Sequence, residues 1–231
     1  MSYVTKPFDL QKNKARDGFA YIFCLIMLSM VVMLFVSFCV IAFTRKYPSD
    51  MTFTLENVQK MLNLRGDDYL KNSITIAIFV SVIGIFVSFI TAYLTTRMPS
   101  CLSSVLHLFS ITSLAIPGLV LGLSYAMTFG GTMLYGTMAI LILANIMHFF
   151  ASPYQMMYNC LSKMNENLES VGQTLGIGRM RMLINVIVPQ CKSTMFEMFS
   201  YFFVNCMMTI SAVSFLATTA NKPVSLMINQ F

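Results

Sequence analysis

The chain has 231 residues, a formal net charge of +6, 57% hydrophobic and 10% charged residues, and a mean hydropathy of +0.72. A water-soluble domain carries about 25% charged residues, so the composition excludes an ordinary soluble fold. It also turns the positive charge away from nucleic acid and towards Lys and Arg in the cytoplasmic loops of a membrane protein.

Asp, Glu, Lys and Arg are absent from Gly18 to Thr44, from Asn72 to Thr96 and from Met98 to Ser162, and between Ser193 and Asn221 only Glu197 is charged. A helix crosses the hydrocarbon core with roughly 20 apolar residues. The gaps therefore predict five spans: Phe19–Phe43, Asn72–Thr96, Ser104–Thr128, Met133–Ala151 and Cys191–Ala217. Lipid offers the backbone no partners, and the segments are too long for barrel strands, so the spans must be helices. The expected fold is all-α, a polytopic bundle.

In chain order, residues 1–18 read as a polar cytoplasmic tail, and 19–231 as the transmembrane domain. The first span reads as a retained helix, because its apolar run outlasts a signal core and no small-residue cleavage site follows. Residues 44–71 form an external loop in which TFTLENVQKML predicts a short helix, with Thr54 as cap and Glu56 and Asn57 in its first turn. Arg97-Met98-Pro99 ends the second span: the proline stops the helix and the arginine snorkels to the headgroups. Pro117-Gly118 falls inside the third span and bends or breaks it, either as a packing kink or beside a watery path. Phe129–Thr132 reads as a tight external turn.

Residues 152–190 form the next polar break. Leu161, Met164, Leu168, Val171 and Leu175 recur at spacings of 3 and 4, predicting an amphipathic helix of about four turns. Gly176 and Gly178 stop it, and RMRMLINVIV predicts a second helical run up to Pro189. A helix lying in the lipid interface would show the same pattern. An N-terminus inside the cell places Lys6, Lys12, Lys14, Arg16, Arg97, Lys163, Arg179, Arg181 and Lys192 on the cytoplasmic side. It leaves Arg45, Lys46, Lys60, Arg65, Lys71 and Lys222 outside.

Catalytic signatures are missing. There is no phosphate-binding G-x-x-x-x-G-K-[ST] motif. His107 and His148 lie far apart with no carboxylates nearby, so neither a metal site nor a catalytic residue is expected. The cysteines Cys24, Cys39, Cys101, Cys160, Cys191 and Cys206 have no C-x-x-C spacing and read as small packing residues rather than disulfides. Polar groups inside spans are candidates for a translocation path: Asn145 and His148 three apart on the fourth, Asn205 on the fifth, and the Pro117-Gly118 break. For both histidines a packing role competes. Glu197 reads as a group near the inner interface, paired with Lys192 or water.

These residues carry a resemblance. LESVGQTLGIGRMRMLINVIVP resembles the cytoplasmic coupling loop of ABC importer permeases, in which an acid and two small residues precede a Gly and a Pro follows thirteen positions later, as Pro189 follows Gly176 here. Ser170, Val171 and Gly172 occupy the usual Glu-Ala-Ala places, and Glu169 is the neighbouring acid. YLKNSITIAIFVSVIGIFVSFITAYLTTR and LAIPGLVLGLSY are similar to the second and third helices of these permeases. The closest branch carries iron(III), aminoethylphosphonate or polyamines. The resemblance implies an ATP-driven import permease, not an enzyme, that binds no cofactor itself, with ATP and Mg held by two copies of an ATPase partner. Further partners would be a second permease subunit, identical or similar, an extracytoplasmic solute-binding protein and the bilayer of the inner membrane, but no nucleic acid. The coupling residues it implies are Met164, Leu168, Glu169, Ser170, Val171, Gly172, Leu175, Gly176, Arg179 and Pro189, with Arg179 and Arg181 meeting partner acids or lipid phosphates. Six helices are usual in this family, so a last helix is expected to be missing here. Two rivals remain. An ion-gradient-driven secondary transporter would want more buried ionisable groups and an inverted repeat. A non-transporting anchor or assembly protein would not need the Pro-Gly break.

Overall fold

An apolar chain satisfies its backbone by forming helices, and where it leaves the helix it must find other partners for its carbonyls. Both behaviours are seen in the computed structural model, which describes residues 13–165 and 167–230. The chain divides into two units, Met1–Leu64 and Arg65–Phe231.

In the first unit, α1 runs over Lys14–Phe43. Most of the expected tail lies outside the described residues, and the helix starts earlier than Phe19 because the Asn13 side chain caps it, accepting from the Ala15 amide at 3.1 Å. A short antiparallel hairpin, β1 (Thr44–Lys46) and β2 (Asp50–Phe53), follows, so the loop after α1 adds two strands to the expected all-α fold. Thr52 donates to Asp50 through its hydroxyl and its amide, which holds the exposed carboxyl below its ordinary range. The predicted short helix is α2, Glu56–Asn63. Thr54 accepts from the Glu56 amide at 3.2 Å, and the Asn57 amide donates to the Ala42 and Thr44 carbonyls at the end of α1.

The second unit is organised on α3, Gly66–Arg97. Its buried face carries Ala77, Ser81, Gly84, Ser88 and Ala92, and such small residues let neighbouring helices approach closely. Against it pack α6 (Met138–Phe149), α7 (Ala151–Ser162) and α11 (Lys192–Met208). One cluster buries Ile76, Val80, Leu141, Phe202 and Val213, and a second buries Phe89, Tyr154, Met157, Leu161 and Met198.

By length and composition α1 and α3 can each cross a membrane, and two bent pairs bring the number to four if each pair is one span. The third expected span is broken, as Pro117-Gly118 suggested. It forms α4 (Cys101–Thr112), a 3₁₀ turn at Ser113–Ala115 and α5 (Gly118–Phe129), with a bend of 107°. Ser100 and Ser103 cap α4 reciprocally. The fourth starts later than expected, after turns through 130–137, and continues from α6 into α7 across a 55° bend.

The fifth expected span, Cys191–Ala217, is helical only to Met208. From Thr209 the chain turns irregularly and ends in a 3₁₀ segment, Val224–Gln230. Its carbonyls and amides find side chains instead. Asn72 donates to the Ala220 and Lys222 carbonyls, Ser73 accepts from the Val224 amide at 2.7 Å, Asn221 donates to the Gly136 carbonyl, and Ser225 donates to the Thr209 carbonyl. Non-helical backbone is tolerated in an apolar setting only when buried in protein in this way.

A Cβ at Gly84 would sit 2.7 Å from the ring of Phe202, which is itself fully buried and has nowhere to turn. Gly84→Leu should lower the thermal midpoint of detergent-purified protein, an overpacking cost of about 1–3 kcal/mol. Gly18→Leu, with open space around it, should leave the midpoint unchanged.

Candidate functional site

The segment from Lys163 to Gln190 follows α7 and leads into α11. The expected four-turn helix through Leu161–Leu175 is not continuous. α7 ends at Ser162, a turn follows, and a short helix α8 covers Leu168–Thr174. One local choice and one distant one break it. Asn165 uses its side chain to accept the Asn167 amide at 2.9 Å, a turn that competes with helix. The distant one is Arg97, whose guanidinium donates to the carbonyls of Leu161 at 3.0 Å, Met164 at 3.3 Å and Asn165 at 3.2 Å. A continuing helix would have spent the Leu161 carbonyl on the Asn165 amide.

Arg97 therefore does not snorkel. Its side chain is 5% exposed, and its Nε lies 3.8 Å from Glu169 Oε1 on α8, close enough to pair as charges though too long for a hydrogen bond. Glu169 is 19% exposed. The two carboxylate and guanidinium groups edge a cleft of about 590 Å³ that Tyr93, Ser100, Gln173 and Arg179 also line.

The predicted stripe is divided by this geometry. Met164 and Leu168 are half-buried, while Val171 and Leu175 are exposed, with Ser170 beside them. Gly172 is buried against the Met182 side chain, so the small-residue place in the motif is occupied by a residue that leaves room for that methionine. Gly176 takes φ +72, the left-handed conformation that glycine adopts freely, and the Ile177 amide closes back on the Gly172 carbonyl at 2.8 Å. Gly178 then starts α9 (Arg179–Met182). A π-helical stretch, Leu183–Ile187, and α10 (Val188–Gln190) complete the predicted second run. Pro189 has no amide to give, and the Val188 amide closes a wide turn onto the Leu183 carbonyl. Arg179, Met180, Ile184 and Pro189 are exposed.

The translocation candidates fall in two places. Gly118, at the start of α5, lies against Ser211 and the His148 ring, so the break in the third span meets the end of α6. Asn145 is buried one turn before His148. Its amide donates to the Leu141 carbonyl at 2.8 Å, while its Oδ1 and His148 Nδ1 are buried with no hydrogen-bond partner. Asn205, half-buried on α11, spends its amide on the Tyr201 carbonyl of its own helix. Glu197 is exposed on α11 and forms no ion pair with Lys192 among the described residues. His107 is a packing residue: its Nδ1 meets the Tyr154 hydroxyl at 2.5 Å, Tyr154 donates to Thr95, and its ring lies 4.6 Å from that of Tyr158.

Sequence reasoning missed Arg97 as a member of this site. The available signal was a lone cation at the end of a span, next to a proline, with the nearest acid far along the chain.

Residues 84–230 match the family described as binding-protein-dependent transport system inner membrane component. The chain is similar to a protein of Haemophilus influenzae named as a ferric transport system permease, FbpB 1, at 25% identity over 78% of this chain and 30% of that protein. It is also similar to the ferric transport system permease protein FbpB of Actinobacillus pleuropneumoniae, at 23% identity over 78% of this chain and 27% of that protein. The chain thus spans under a third of the length of these curated relatives.

Removing a buried charge partner costs about 3–5 kcal/mol. Arg97→Ala should release the 163–178 stretch, seen as faster tryptic cleavage at Lys163 and Arg179 in membranes. Arg97→Lys should not restore protection, because an ammonium cannot serve three carbonyls in the fork geometry of a guanidinium.

Proposed function

The chain belongs to the binding-protein-dependent transport system inner membrane components, a family of membrane transport permeases, and from this premise we propose that it is the transmembrane subunit of an ATP-driven importer and that the segment 163–190 is where a separate ATPase subunit docks. One observation carries the reading: this segment exposes an apolar tip while its base is tied to the long helix α3. Val171 is 54% exposed, Leu175 70%, Met180 69% and Ile184 56%. An apolar tip of this kind fits a groove on a partner. At the base, Arg97 joins the end of α3 to the end of α7 and to α8.

In this reading, closure of the ATPase around ATP moves the tip as a rigid body. The ties at Arg97 carry the displacement into α3 and α7, and through α6 to the broken span at Pro117-Gly118. The pathway opens alternately to each side, with ATP shifting the population between the two states. ATP and Mg belong to two ATPase copies, and a second permease subunit, identical or similar, completes the path. Solute arrives on an extracytoplasmic binding protein, the N-terminus lies in the cytoplasm, and the membrane is the inner one. Iron(III) is the solute that the names of the two relatives support.

Leu175→Asp and Val171→Asp should lose co-purification of an ATP-binding-cassette subunit without changing membrane insertion. Glu169→Ala should instead retain the ATPase subunit but lower solute uptake, because it loosens transmission rather than docking. Equal recovery of the ATPase subunit with Leu175→Asp, or uptake that persists in ATP-depleted vesicles, sinks the proposal.

A further inference from the structure

The docking segment leaves the helical bundle through one neck. On one side of it is Cys160, in the last turn of α7, and on the other is Cys191, between α10 and α11. Their sulfurs are 3.4 Å apart, with the Cys160 thiol directed at Cys191 Sγ, and the Met164 sulfur lies 4.0 Å from the Cys191 sulfur. Read from sequence, the six cysteines had no spacing to suggest a pair. The fold joins these two because the chain leaves and re-enters the bundle at the same point.

We propose that Cys160 and Cys191 are a redox-active dithiol, and that its oxidation to a disulfide staples the neck of the segment 161–190. A disulfide has an S–S length of about 2.05 Å, so the sulfurs need to close by about 1.4 Å, within reach of side-chain rotation. Cys160 is half-exposed and Cys191 is fully buried, which assigns their order of reaction. A hydroperoxide reaches Cys160. The Cys160 sulfur attacks the peroxide oxygen, the O–O bond breaks, and an alcohol or water leaves with the thiol proton while Cys160 becomes a sulfenic acid. The Cys191 sulfur then attacks the Cys160 sulfur, the S–O bond breaks and water leaves. Two thiols are oxidised, one peroxide is reduced, and no other reactant is needed. In a reducing compartment the pair rests as thiols, and small thiols return it to that state by exchange. The staple holds α7 to the start of α11 at the base of the tip. Its consequence for transport rests on the coupling reading above, but the formation of the bond does not.

The experiment uses the full chain in native membranes, treated with cumene hydroperoxide, alkylated, digested without reductant and read by mass spectrometry. The expected product is a cross-linked peptide pair carrying Cys160 and Cys191, two hydrogens lighter than the free peptides and removed by dithiothreitol. Uptake should fall on oxidation and recover on reduction, and Cys160→Ser should make uptake insensitive to the peroxide. Because Cys160 is half-exposed, that variant tests the idea even if Cys191→Ser fails to fold. Oxidation of the exposed Cys101 without the Cys160–Cys191 link overturns the dithiol. The link without loss of uptake overturns the regulatory role while leaving the bond in place, and failure of ATPase docking to depend on Leu175 strikes the coupling reading separately.

Discussion

A guanidinium buried at the end of an apolar helix must be compensated by acceptors and opposite charge, because an uncompensated buried charge costs several kcal/mol. Arg97 meets this demand with the carbonyls of Leu161, Met164 and Asn165 and the carboxylate of Glu169. The carbonyls lie at the negative end of the α7 dipole, so the charge and the helix end neutralise each other. The rest of the site depends on that exchange. It ends α7 at Ser162, it sets the turn before α8, and it fixes which face of α8 looks outward.

The same use of side chains recurs along the chain, where hydroxyls and amides donate to backbone carbonyls. Asn57 closes the end of α1, Asn72 holds carbonyls of the irregular tail, Asn221 ties that tail to the Gly136 carbonyl, and Asn145 and Asn205 donate within their own helices. This narrows the intramembrane candidates. Asn205 makes its bond within its own helix, whereas Asn145 keeps a free Oδ1 and sits one turn from a His148 nitrogen without a partner. On the transport reading, the candidates that remain for the solute path are these unpartnered groups near the break at Gly118, where the His148 ring lies.

How much of this could be read from sequence follows from how local each cause is. Charge-free runs marked α1 and α3 because insertion of a helix depends on its own residues. Pro117-Gly118 marked the break because a missing amide acts at that position. Gly176 marked the turn after α8 because a left-handed glycine acts on its own backbone. The periodic stripe from Leu161 to Leu175 misled, because the pattern is helical and the interruption comes from Arg97, far back in the chain. The tail from Thr209 misled in the same way: its composition is apolar enough for a span, but Asn72 and Ser73 offer its backbone a non-helical solution. The thiol pair at the neck had no sequence signal at all.

The acid of the motif shows what one shifted position does. Family members place it where this chain has Ser170, and on α8 successive residues point about 100° apart. Ser170 is exposed, whereas Glu169 turns inward to Arg97. The outward face of α8, formed by Ser170, Val171, Gln173 and Thr174 with Leu175 at its end, thus carries no charge, and Arg179 and Arg181 are exposed just beyond the glycine turn. On the coupling reading, the acid here holds the segment to its own bundle, and the docking face is uncharged, with Val171 and Leu175 as its apolar tip and a basic edge. The complementary groove is then apolar with an acidic rim, since like charges facing each other across an interface would repel.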